Sequence, residues 1–193
     1  MKRFSEVRCD ITARLYNIAN IPNDGSAVVP IADQMVAALY VDNVPLTLDT
    51  IESWGMCVRD VMNEARYNLA NDYKIKGMRE ILADLGCPEE MLPPLSEEGK
   101  EMMYVVTSGC GILGAGVILS PDVMKAAREM IGNFIILPSS IHEVILVPNN
   151  EDANVDGLNG IINTVNTEQV APEEQLSNKA YVYNFETNEF EAA

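Results

Sequence analysis

The chain carries one histidine, one tryptophan and only 13 lysines and arginines in 193 residues. Each scarcity excludes something. With 29 acidic residues against those 13 cations, the formal net charge is −16. A phosphate backbone or an anionic membrane surface repels such a chain unless its cations gather on one face, so direct nucleic-acid binding and membrane association are not expected. The four cysteines, Cys9, Cys57, Cys87 and Cys110, form no Cys-x-x-Cys pair and have only His142 to join them, which argues against a structural zinc site. No apolar stretch approaches the roughly 20 residues of a membrane-spanning helix. The N-terminal residues reach Glu6 and Asp10 before any apolar run, so a secretory core is missing. These absences point to a cytoplasmic protein with free thiols.

What remains is an ordinary globular composition, 48% apolar, with enough length for one domain. Val7, Cys9, Ile11 and Ala13 alternate with polar neighbours, the period of a half-exposed strand. Residues 31–40 fit helical spacing through Ile31, Met35, Ala38 and Leu39. Val58, Val61, Met62, Ala65 and Leu69 make one helical stripe, and Ile75, Met78, Ile81, Leu82 and Leu85 a second, stopped by Gly86. Residues 1–86 are therefore expected to be helix-rich after an N-terminal strand. Residues 87–101, with Pro88, Pro93, Pro94 and five glutamates, have the composition of an acidic linker. Residues 102–193 are strand-rich: 102–107, 115–119, 134–137, 144–147 and 180–185 read as strands. Ser120, Pro121 and Gly132 punctuate a helix between them, and residues 158–165 read as another. The expected fold is α+β, one folded domain overall, with helices packed on a single mixed or largely antiparallel sheet.

Three segments imitate chemical motifs. Gly109-Cys-Gly111-Ile-Leu-Gly114 has the G-x-G-x-x-G spacing of a dinucleotide loop. The fingerprint needs its last glycine to open a helix facing the pyrophosphate, whereas here Ala115–Leu119 is short, β-prone and halted by Pro121, so no cofactor is expected. Asp152, Asn154 and Asp156 before Gly157 copy the start of a calcium loop. Position twelve is Asn163 where a bidentate glutamate is needed, and an Asx-rich turn accounts for the same residues, so no metal is expected. Ser139, Ser140, His142 and Glu143 bring hydroxyls, a base and a carboxylate together, the ingredients of a hydrolase. They lack a nucleophile elbow, and on a strand Glu143 points away from His142. The plainer reading is a tight connection between buried strands, with the serines bonded to backbone.

The same segment carries a resemblance. Phe134 to Pro148, with Leu137-Pro-Ser-Ser-Ile-His-Glu-Val144 at its core, resembles an uncharacterised domain-of-unknown-function family of gut Firmicutes, often carried on mobile elements. Glu52-Ser-Trp54-Gly55 with the helix reaching Ala65 and Asn68, Gly114 to Val123, Val165-Asn166, Val170 to Ser177, and Tyr181-Val-Tyr183 are similar to that family's other motifs. The resemblance spans roughly residues 30–185 and implies no known activity. It implies the setting of small proteins that bind and inhibit host enzymes, nuclease-based defence systems among them. Together with the charge, it leads us to expect a non-catalytic, acidic protein-binding or regulatory protein that presents Glu168, Glu173, Glu174, Glu186 and Glu189 to a partner. The alternatives are an inhibitor of a defence nuclease acting by nucleic-acid mimicry, and a hydrolase using Ser139 or Ser140 with His142.

Overall fold

The apolar alternation near the N-terminus becomes a strand one turn later than its first residues suggest. In the computed structural model, which describes residues 2–149 and 154–193, α1 (Phe4–Val7) closes a helical turn and Arg8–Asp10 a 3-10 turn. Strand β1 (Ile11–Asn17) follows, with Ile11, Ala13 and Leu15 buried. The helix expected over residues 31–40 is instead a strand, β3 (Met35–Val41), paired antiparallel to β1 on one side and to β2 (Val28–Pro30) and β4 (Val44–Pro45) on the other. Met35 to Tyr40 are all buried. A continuous apolar run suits a strand covered on both faces and has no periodicity to separate it from a buried helix.

The stripe at Val61, Met62 and Ala65 is the buried face of α3 (Val58–Leu69), laid on β1 after the short α2 (Leu48–Ser53). The second expected helix divides. Ile75 lies in the edge strand β5 (Tyr73–Gly77) and only α4 (Met78–Asp84) is helical, with Gly86 at φ +83° behind it as the expected stop. The remaining strands are β6 (Tyr104–Ser108), β7 (Phe134–Leu137), β8 (Val144–Pro148), β9 (Tyr181–Asn184) and β10 (Glu189–Ala192). They join β5 in a six-stranded antiparallel sheet ordered β10-β9-β7-β8-β6-β5. Two antiparallel sheets, of four and six strands, thus replace the single sheet expected, because β3 gives the first half a sheet of its own.

One hydrophobic cluster joins the two sheets: Ile11, Leu15 and Leu39 from the first share it with Val106, Ile136 and Leu146 from the second. The opposite face of the second sheet, at Ile135 and Leu137, is covered through Ile162 by α6 (Val155–Gln169). Helix α5 (Pro121–Ile131) begins and ends where its proline and Gly132 require. Its Val123, Met124 and Ala127 are buried, while Met130 is exposed, and Ser120 caps by position alone, its buried hydroxyl having no partner among the described residues.

Residues 115–119 are not a strand. Gly114–Leu119 forms a wholly buried 3-10 segment threaded against β6 and β1. A Cβ at Gly116 would lie closer than 3.0 Å to the Ala13 carbonyl oxygen. Only glycine lets the two backbones approach this far.

Candidate functional site

The glycine run, the serine–histidine segment and the loop after α6 meet in one seam. Residues 138–141 run antiparallel to 174–177: Ser177 N–H donates to the Pro138 carbonyl (2.9 Å), Leu176 N–H to that of Ser139 (3.1 Å), and Ile141 N–H to that of Glu174 (2.9 Å). On the other side Ala115 N–H donates to the Ile141 carbonyl (3.1 Å), and the Thr107 hydroxyl to that of His142 (2.8 Å).

His142 occupies the middle of this seam. Its Nδ1 accepts from the Leu113 backbone N–H at 3.1 Å, and its Nε2 lies 3.2 Å from Glu174 Oε1. An accepting Nδ1 carries no proton, so the neutral ring places its hydrogen on Nε2 and donates it to Glu174. Both ring nitrogens are therefore engaged. The Ser140 hydroxyl accepts from the backbone N–H of His142 (3.0 Å). Ser139 is buried and its N–H donates to the Leu137 carbonyl (3.1 Å). Neither serine is hydrogen-bonded to the ring among the described residues. Glu143 is exposed beside Lys74 and Lys76 on the outer face of the sheet. The carboxylate that orients the histidine is Glu174, 32 residues away, which sequence spacing alone does not reveal.

His142→Ala should remove the acceptor of the Leu113 N–H while the αL conformation of Leu113 (φ 52°) keeps that group aimed inward. We expect a loss of about 1–3 kcal/mol in urea unfolding. Glu174→Gln, which can still accept from Nε2, should cost less than half as much.

The three glycines of the dinucleotide-like run each answer to a local demand. Gly111 adopts φ +73°. A Cβ on Gly109 would meet the Asp72 carboxylate, and one on Gly114 would lie 2.5 Å from Ser108 N and 2.8 Å from the His142 carbonyl. The run leads into the buried 3-10 segment, so no helix N-terminus faces outward for a pyrophosphate. Of the calcium-like residues, Asp152 lies outside the described residues. Asn154 spends its side chain as the cap of α6, accepting from Gly157 N–H at 3.1 Å, and Asp156 is exposed in the first turn.

A second cluster ties the closing segment to the first sheet. Asn166, buried in α6, donates its amide to the Ser177 carbonyl (3.0 Å) and to Asn178 Oδ1 (2.6 Å). The Ser177 hydroxyl donates to Gln34 Oε1 (2.7 Å), and Asp33 accepts from Tyr181 Oη (2.6 Å) and pairs with Lys179. The Lys179 ammonium, with the Tyr181 hydroxyl, holds the Asp33 carboxyl below the usual carboxylate range. A group with a depressed folded-state value adds stability that is present above its unfolded value and lost as pH falls through the folded one. The stability advantage of the native chain over Asp33→Asn, measured by urea midpoints, should therefore hold at neutral pH, begin to fall near about pH 4, where the unfolded carboxyl titrates, and vanish only once pH has dropped through the lower folded value.

Glu168, Glu173, Glu186 and Glu189 are exposed, whereas Glu174 is half-buried against His142. Glu186 lies in the turn of the β9–β10 hairpin and Glu189 begins β10, while the Arg128 guanidinium stacks on Phe185 at 4.4 Å and forms no ion pair with either. The residues missed by sequence reasoning are Glu174 as the histidine's partner, Thr107, and Asn166 as a buried lock.

No helix among the described residues is long and apolar enough to cross a membrane. No curated protein and no solved structure matches the chain. Residues 26–184 match DUF5688, a family of unknown function, close to the span the motifs suggested. The segments that carried the resemblance are largely those bonded in the two clusters above, and the chain belongs to the DUF5688 family.

Proposed function

We propose that the chain is a non-catalytic protein-binding module whose acidic surface draws a basic partner. The observation that carries this reading is the charge of residues 154–193: seven carboxylates against one cation, Lys179, which is itself spent on Asp33. Among the described residues no cation pairs with Glu168, Glu173, Glu186, Glu189 or Glu191. Uncompensated charge of one sign steers encounter and selects a complementary surface. The engagement of both His142 nitrogens supports a scaffolding use of the serine–histidine segment over a hydrolytic one.

A narrower form of the same reading is an inhibitor carried on a bacterial mobile element, occupying the basic groove of a nucleic-acid-binding defence nuclease. The test is affinity capture from a host lysate at low and at high salt, with a panel of ester substrates assayed in parallel. A partner held at low salt and released at high salt is expected. Ester turnover abolished by Ser140→Ala and by His142→Ala, with no salt-sensitive partner, would overturn the reading in favour of a hydrolase.

A further inference from the structure

The 87–101 segment is more than a spacer, because it builds one wall of a groove. Ser96 to Lys100 close a turn on themselves: Ser96 N–H donates to the Lys100 carbonyl (2.8 Å) and Lys100 N–H to the Ser96 hydroxyl (3.0 Å). Between this turn and the ends of α5 and β8 lies a groove of about 690 Å³ with an apolar floor of Leu95, Met102, Tyr104, Ile131 and Val147. Leu95 and Met102 are each 45% exposed, a poor use of large apolar side chains unless something covers them.

The rim is acidic. Glu97, Glu98 and Glu101 line it against the single cation Lys100, and Lys100 is paired with Glu98 at 2.9 Å. Glu101 is turned toward α4, where it accepts from the Arg79 and Glu80 N–H groups (3.1 and 3.3 Å). Glu97 has no ion-pair partner among the described residues. A segment that fills the floor with apolar side chains and carries lysine or arginine along its edge matches both features, whereas an acidic segment, or a second copy of a chain at −16, meets like charge.

We propose that this groove is where the partner docks, and that the docked segment is a basic peptide anchored by apolar side chains. The inference rests on the protein-binding reading above and seats the docked segment apart from the acids of residues 154–193, which steer its approach. The test uses the full chain, with methyl-labelled Leu, Met, Ile and Val, and two probes: a short synthetic Leu/Lys peptide with apolar residues on one face, and its Leu/Glu counterpart. Methyl shifts at Leu95, Met102, Ile131 and Val147 are expected with the Leu/Lys peptide and not with the Leu/Glu one. Met102→Ala and Glu97→Lys, both at exposed positions, should each weaken binding about tenfold, while the pair Glu186→Gln and Glu189→Gln leaves it unchanged. Shifts centred on the β9–β10 hairpin and lost in that pair would overturn the groove and leave the acidic-surface reading standing. Binding of neither peptide, or of both equally, would overturn the groove assignment, while a salt-sensitive partner in the capture experiment would leave the protein-binding reading standing. Groove shifts that vary with protein concentration alone would overturn the basic-peptide assignment in favour of a second copy.

Discussion

Gly116→Ala should lower the thermal midpoint by about 6–12 °C, the shift that roughly 3 kcal/mol produces in a domain of this size. The added methyl would meet the carbonyl of Ala13 in β1, with the Ala13 carbonyl carbon at 3.4 Å and Arg14 Cα at 3.6 Å behind it. All three are backbone atoms of the strand that α3 packs on, so no rotamer change relieves the overlap. Either β1 moves away from the 3-10 segment, which opens the shared core, or the segment is expelled from it. A contrasting substitution separates this crowding from any general effect of adding a methyl. Gly160, in α6, has nothing within 4 Å of its missing Cβ. Gly160→Ala should stabilise the chain by about 0.5–1 kcal/mol, through the lower entropy cost of an alanine in a helix.

Asn166→Asp should be the most damaging isosteric change on the chain, with an expected loss of about 3–5 kcal/mol in denaturant unfolding. The native amide donates to the Ser177 carbonyl and to Asn178 Oδ1, and its side-chain Oδ1 is buried with no hydrogen-bond partner among the described residues. A carboxylate at that position has nothing to donate and faces two oxygens. It would either stay charged with no compensating cation or be protonated at a cost. The loss should shrink as pH falls, because a protonated side chain regains one donor; urea midpoints at neutral and acidic pH check the sign. Since Ser177 also bonds Gln34, in the connection between β2 and β3, a failure here should loosen the contact between the closing segment and the first half.

These two positions also mark where sequence reading succeeds and where it stops. Helix α5 was legible because Pro121 and Gly132 have local consequences for φ and for hydrogen bonding that hold in any fold. The buried face of α3 and the strands β7, β8 and β9 were legible from their apolar patterns. Residues 35–41 were not, because a run buried on both faces has no polar face to reveal its period. Their misreading as helix hid the first sheet. The 3-10 path of Gly114–Leu119 was hidden for a related reason: β-prone side chains predict a strand, but the path is set by how closely glycine backbone approaches Ala13, Thr107 and His142.

Ser139 and Ser140 lie in the connection between β7 and β8, where the Ser140 hydroxyl accepts from the His142 backbone N–H and the Ser139 N–H donates to the Leu137 carbonyl. The carboxylate partner of His142 is not legible in sequence, since Glu174 reaches the ring only through the antiparallel pairing of 138–141 with 174–177. The same carboxylate was counted among the partner-facing acids. Its place against the ring removes it from that surface and leaves Glu168, Glu173, Glu186 and Glu189.

On the proposed reading, the serine–histidine segment is architecture, and the acidic surface and the groove beside residues 94–102 meet the partner. His142 is the chain's single histidine, so long-range ¹⁵N correlation of its imidazole is unambiguous. At neutral pH the account predicts one fixed tautomer, with a proton on Nε2 and an acceptor Nδ1, as the Leu113 and Glu174 contacts require. A proton on Nδ1, or rapid exchange between tautomers with Nε2 free toward solvent, would contradict it.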